Sequence, residues 1–116
     1  QTNQSREEYR ERLRPEATVE IRRGSERFRE TATGDGPVDA AYRAIGKATG
    51  ISGELTEYLT KAVSGGGDAL VEVFVRVRID GDEFHGRGVS TDVIESSARG
   101  YLETLNRALR ARRTKS

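Results

Sequence analysis

Displacing the sequence by 56 residues lays VEIRRGSERFRETATGDGPVDAAYRAI (19–45) on VRVRIDGDEFHGRGVSTDVIESSARGY (75–101) without a gap. Val19 falls on Val75, Ile21 on Val77, Phe28 on Phe84, Val38 on Ile94 and Arg43 on Arg99. The order hairpin, glycine turn, helix is therefore written twice. Self-similarity at a fixed period is a fold signal in its own right. It predicts two equivalent units, with a helix N-terminus at the same place in each.

The elements follow from local pattern. Alternation of Val19 and Ile21 with Glu20 and Arg22 predicts a half-buried strand over 17–23, and RFRETAT (27–33) returns after the turn GSE. Pro37 suits a first helical position just after Gly36. Val38, Ala41, Tyr42, Ile45 and Ala48 make one apolar stripe, and Gly50 is a natural stop. ELTEYLTKAV (54–63) reads as a strand and SGGGD as a loop. ALVEVFVRVRI (69–79) is the clearest strand, with Ala69, Val71, Val73, Val75, Val77 and Ile79 on one face. Asp80-Gly81 is a two-residue hairpin signal, so EFHGRGV (83–89) should pair back. The closing helix starts at Thr91 or Asp92, with Glu95 completing a capping-box pattern. Its stripe is Ile94, Ala98, Tyr101, Leu105 and Leu109. Gly100 inside it is either a mild penalty or a point of close packing. Residues 1–16, broken by Pro15, read as a linker or a short surface helix, and the basic end RARRTKS is expected to fray.

Composition bounds the chemistry. Of 116 residues, 34% are apolar and 34% charged, which is lean for a self-sufficient core and points to a partner surface. A net charge of +1 gives no global field for nucleic acid. With no Cys and a single His, disulfides, thiolate chemistry and a His-based zinc site are excluded. No apolar run approaches a membrane span and no signal peptide is visible, so a cytoplasmic protein without membrane partners is expected. The chain opens on Gln1, which reads as a piece of something longer. SGGGD lacks the Gly-Lys-Ser/Thr ending of a phosphate loop. His85 has no second His or Cys beside it, and Ser90-Thr91 suits capping better than nucleophilic attack. The basic tail is not interleaved with aromatic residues as a stacking platform for nucleic acid would be.

TGDGPVDAAYRAI and LTEYLTKAVSGGGDALVEVFVRVRIDGDEFHGRGVSTDVIESSARGYLETLNRAL resemble the C-terminal regulatory (allosteric, LeuA-type dimer) domain of 2-isopropylmalate synthase and its relative citramalate synthase. Four blocks occur in the family's order: GDGPVDA, AVSGGGDA, the DG hairpin and GRGVSTDVIESSARGYL. The resemblance covers about residues 17–109. It implies an α+β fold of two pseudo-twofold-related βββα units, antiparallel sheets with two helices packed together. It implies a homodimer that binds leucine or isoleucine as feedback inhibitor. It also implies a catalytic TIM barrel in the same enzyme, to which the acetyl-CoA and divalent metal belong. No catalytic residue, metal site or cofactor is expected in this chain. The expected layout is a linker or extension (1–16), the regulatory domain (17–111) and a basic tail (112–116). Where the family usually has Thr, Gly67 stands here; where it has Gly, Val71 stands. The first strand of the first unit is hard to find, since EEYRERL is a poor strand.

A free amino acid presents a carboxylate, an ammonium and a side chain. Backbone N–H groups at Gly34, Asp35 and Gly36 ahead of a helix suit the carboxylate. Asp35, Asp92 or backbone carbonyls suit the ammonium. The resemblance places Val38, Leu55, Tyr58, Ala62, Ala69 and Val93 around the side chain. The competing readings are that Gly-Asp-Gly-Pro is only a turn and cap, and that the domain is a ligand-free dimerisation module of the same fold.

Overall fold

The computed structural model describes residues 14–65 and 67–115. The reading of 1–13, including EEYRERL, lies outside the described residues. In chain order the elements are β1 (Glu16–Arg23), β2 (Glu26–Thr33), α1 (Pro37–Thr49), β3 (Glu54–Gly65), β4 (Asp68–Ile79), β5 (Asp82–Ser90) and α2 (Val93–Lys115). The fold is α+β, with a two-stranded antiparallel sheet β1–β2 and a three-stranded antiparallel sheet in the order β3–β4–β5. Contacts divide it into two compact units meeting between Ala48 and Thr49.

The 56-residue repeat holds at the level of hydrogen-bond register. Ile21 pairs with Phe28 in the first unit, and Val77 with Phe84 in the second. The first turn of each helix also repeats an exposed i,i+4 ion pair, Asp39–Arg43 at 2.9 Å and Glu95–Arg99 at 2.6 Å. Each such pair adds a few tenths of a kcal/mol to its helix.

In the first unit, Gly24 takes a φ of 63° at the head of the two-residue β1–β2 turn. The odd-numbered residues of β1, Ala17, Val19 and Ile21, are half-buried while their neighbours are exposed, as strand alternation demands. α1 buries Ala40, Ala41, Tyr42, Ala44 and Ile45. Lys47 donates from its last turn to the Thr31 carbonyl at 2.7 Å. Gly50, with a φ of 73°, ends the helix as expected.

In the second unit, Asp80 and Gly81 both have positive φ, 53° and 87°, the geometry that a tight hairpin turn needs. Val73, Val75, Val77 and Ile79 are buried on the face that carries α2. α2 lies unusually close to β5, because Gly86 and Gly88 face Ser96, Gly100 and Thr104. A Cβ at Gly88 would fall on the Ser96 carbonyl oxygen, and one at Gly86 on the Gly100 carbonyl oxygen. Gly100 is thus a close-packing point. The buried stripe of α2 differs from the expected one. It comprises Ser96, Ser97, Tyr101, Thr104, Leu105 and Ala108, whereas Ile94 is 37% exposed. Small residues, rather than bulky apolar ones, set the helix–sheet distance here. Nor does the basic end fray at Arg110: the helix continues to Lys115, and Arg112 pairs with Asp80. On the outer edge of the sheet, the Arg87 N–H donates to Glu103 Oε1 at 3.1 Å, covering part of an otherwise open strand edge.

Candidate functional site

A β-bulge in β3 decides which side chains meet. Leu55 pairs with Val77, but Glu57 already pairs with Arg76, so Thr56 is the extra residue; its hydroxyl donates to the Arg76 carbonyl at 3.1 Å. One residue of slip moves side chains to the opposite face. Leu55 therefore shares the α2 face with Tyr58, Thr60 and Ala62, although the spacing from 55 to 58 is odd. Directly opposite on β4, Tyr58 meets Val75 and Ala62 meets Val71. Ala69, two residues before Val71, lies on this same face.

α2 begins beside this surface. Asp92 Oδ1 accepts the N–H groups of Ile94 at 2.6 Å and Glu95 at 3.2 Å, so Asp92 is the N-cap. The expected capping box closes only halfway. Glu95 holds Arg99 instead, and the Asp92 N–H donates to Ser90 Oγ at 3.3 Å. Ser97 Oγ donates to the Val93 carbonyl at 2.7 Å. Having spent its one proton, it accepts from the Tyr58 hydroxyl at 2.7 Å. Sheet and helix are thereby tied where Leu55 and Val93, each 40% exposed, leave apolar surface open to solvent. Leu55, Tyr58, Ala62, Ala69 and Val93 are thus five expected residues that the second unit brings to one side of its sheet, with Asp92 capping the adjacent helix.

Gly34, Asp35, Gly36 and Val38 belong to the first unit. Gly34 is buried, and its N–H donates to the Pro15 carbonyl at 3.0 Å. A Cβ there would stand 2.5 Å from the Ala40 nitrogen. The Asp35 N–H donates to Asp39 Oδ2 at 2.9 Å, and the Asp35 carboxylate pairs with Arg14 at 3.3 Å. The donors at 34 and 35, expected to face a carboxylate, are therefore spent inside the turn. Gly36 differs: nothing lies within 4 Å of a Cβ placed there, and its φ is ordinary. Val38 is half-buried in the first turn of α1.

The two departures from the family pattern have local accounts. Gly67 takes a φ of 103°, which Thr would adopt only under strain. Val71 stands opposite Ala62 and fills part of the same face. Sequence reasoning missed Thr56 and Ser97. No sequence signal marks the bulge, whereas Ser97 follows from the small-residue stripe that the repeat aligns with Ala41. A cavity of about 240 Å³ lies at the far end of the unit, lined by Ile79, Asp80, Asp82, Phe84, Ala108, Ala111 and Arg112; it contains none of the expected residues. Among the described residues no cluster of His, Cys, Asp or Glu has the make-up of a metal site, and no helix is long and apolar enough to cross a membrane.

Comparison with known proteins gives the family. Residues 2–109 match the family model of the LeuA allosteric (dimerisation) domain. The chain is 50% identical over 93 residues to a 2-isopropylmalate synthase of Ruminiclostridium cellulolyticum, covering 80% of this chain and 18% of that protein. It is 47% identical over 95 residues to the 2-isopropylmalate synthase of Heliobacterium modesticaldum, covering 82% and 19%. With the enzyme of the same name from Erwinia tasmaniensis the identity is 47% over 96 residues, covering 83% and 18%. The chain thus spans about a fifth of the length of these relatives.

Proposed function

Because the chain belongs to the LeuA allosteric (dimerisation) domain family, we propose that it is the regulatory part of an acetyl-CoA-dependent 2-isopropylmalate or citramalate synthase. In this reading it binds leucine or isoleucine as feedback inhibitor and pairs with a second copy of itself. The condensation reaction, with its metal and acetyl-CoA, belongs to a catalytic barrel elsewhere in the enzyme. The observation that carries the effector reading is the bulge-set face of β3. It puts Leu55, Tyr58 and Ala62 beside Val93 at a helix start, an apolar shelf suited to a branched side chain. Asp92 is the nearby acceptor for an ammonium group. Taken by itself, the first unit offers a separate candidate: Gly36 keeps open space at its own helix start, where a carboxylate is favoured by the dipole and the first-turn N–H groups.

Two variants test the assignment in separate units. Ala62→Phe covers the shelf of the second unit, and Gly36→Val closes the approach to the turn of the first. Titration calorimetry with leucine and isoleucine should show binding lost in Ala62→Phe and weakened in Gly36→Val, with both variants folded. Unchanged affinity in either variant removes that residue from effector binding. One observation favours the ligand-free dimerisation module as a second reading: Val71 occupies part of the face that Ala62 leaves open. That reading predicts a dimer that no amino acid stabilises.

A further inference from the structure

The sheet face opposite the more buried side chains differs between the two units in a way the fold does not require. In β1–β2 that face comprises Glu16, Thr18, Glu20 and Arg22 with Arg27, Arg29, Thr31 and Thr33, all exposed. Thr18 and Thr31 share a hydroxyl hydrogen bond of 2.8 Å. Displaced by 56 residues, Thr18 becomes Phe74. Phe74 stands opposite Leu59, which is 55% exposed, and the pair Val63–Leu70 continues the apolar strip. In the equivalent hairpin β4–β5 Phe74 thus stands where the first hairpin has Thr18, and β3 adds Leu59 and Val63 beside it to make the strip. An apolar strip left open on an outer sheet face is surface for contact.

Charge identifies the partner. The rows on either side of Leu59–Phe74 carry opposite orders of sign: Glu57 opposite Arg76 on one side, Lys61 opposite Glu72 on the other. Rotating the sheet by a half-turn about the Leu59–Phe74 row places Glu57 over Lys61 of a copy, and Arg76 over Glu72. Arg87, third in the central row, is held by Glu72 of its own chain at 3.1 Å. A surface that complements itself under a twofold rotation is what an isologous interface needs.

We infer that the outer face of β3–β4 is where a second copy of this chain docks, Leu59–Phe74 against its own copy and Glu57 against Lys61 of the copy. This rests on the homodimer reading above and gives it a place. It is independent of the effector shelf, which lies on the opposite face.

Charge reversal tests it by sedimentation equilibrium and native mass spectrometry on the 116-residue chain. Glu57→Lys and Lys61→Glu each set like charges together twice per dimer, and each alone should weaken association about a hundredfold or more. Mixed one to one, the two variants should dimerise again, because each reversed charge then meets its opposite. An unfolded variant would not be rescued in this way. Should a reversal unfold the chain, Leu59→Thr, which replaces an apolar side chain that is 55% exposed, decides: it should weaken the dimer and leave thermal unfolding of the monomer unchanged. Variants that dimerise alone as the wild type does, a mixture that fails to associate, or an unaffected Leu59→Thr overturns the interface. A monomeric wild type overturns the homodimer itself. Neither result bears on leucine or isoleucine binding, which titration measures separately.

Discussion

The Tyr58 hydroxyl donates to Ser97 Oγ across 2.7 Å, and its direction is fixed because Ser97 gives its own proton to the Val93 carbonyl. One bond thus joins the bulged strand to the start of α2. Tyr58→Phe keeps the ring and removes the donor, so urea unfolding should show a loss of about 0.5–1.5 kcal/mol. Ser97→Ala should cost a similar amount. Removing both should cost less than the sum, since they share the bond.

Glycines 88 and 36 should respond in opposite ways to the same added methyl group. At Gly88 the methyl group meets the Ser96 carbonyl, and Gly88→Ala should destabilise by roughly 1–3 kcal/mol through forced separation of helix and sheet. At Gly36 there is open space and an ordinary φ. Gly36→Ala should be neutral or stabilising by up to about 1 kcal/mol, because the unfolded chain loses freedom. Thermal unfolding of the two variants distinguishes them.

The helices and strands of the described residues were legible in the sequence to within two residues, save the end of α2, which runs on to Lys115, because alternation in β4, the Asp-Gly turn and the glycine after α1 each act locally. The repeat went further, since a gapless alignment forces equal hairpin registers. What was not legible is what depends on distance between elements. The stripe Ile94–Leu109 has the spacing of a core face. Yet Gly86 and Gly88 let the helix come so close that Ser96, Ser97 and Thr104 are buried instead. The shelf was half legible. Leu55 and Tyr58 came from a family resemblance, while the bulge at Thr56 that puts them on one face leaves no trace in residue type. The donors at Gly34 and Asp35 are taken by Pro15, which sits outside the motif, and by Asp39 within it, whose capping role the residue types alone do not show.

The cap of α2 gives an asymmetric prediction. Asp92→Ala removes the acceptor of two first-turn N–H groups and should cost about 1 kcal/mol. Glu95→Gln removes only an exposed pair with Arg99 and should change stability by less than about 0.5 kcal/mol. A true capping box would make the two comparable, so urea titration of both variants decides.

Burial pushes the Tyr101 phenol above its ordinary value, against a smaller opposing effect of a backbone hydrogen bond at Gly53. The folded state therefore favours the neutral phenol. This contribution is complete below pH of about 10, where an unfolded tyrosine ionises, and is lost as pH rises through the higher folded value. Stability measured by urea unfolding should decline above about pH 10, and Tyr101→Phe should flatten that part of the profile.

The account stands most directly on one titration of the wild-type chain with leucine, isoleucine, alanine and lysine. Alanine keeps the charged groups and lacks three methyl or methylene groups. Each contributes about 0.8 kcal/mol when buried, a total near 2.4 kcal/mol, so alanine should bind on the order of fiftyfold more weakly than the preferred branched amino acid. Lysine should do no better, since its terminal ammonium would meet an apolar lining of Leu55, Tyr58, Ala62 and Val93. One branched amino acid bound with that selectivity is the predicted result; equal affinities across the four, or heat from none of them, would contradict an effector site in this domain.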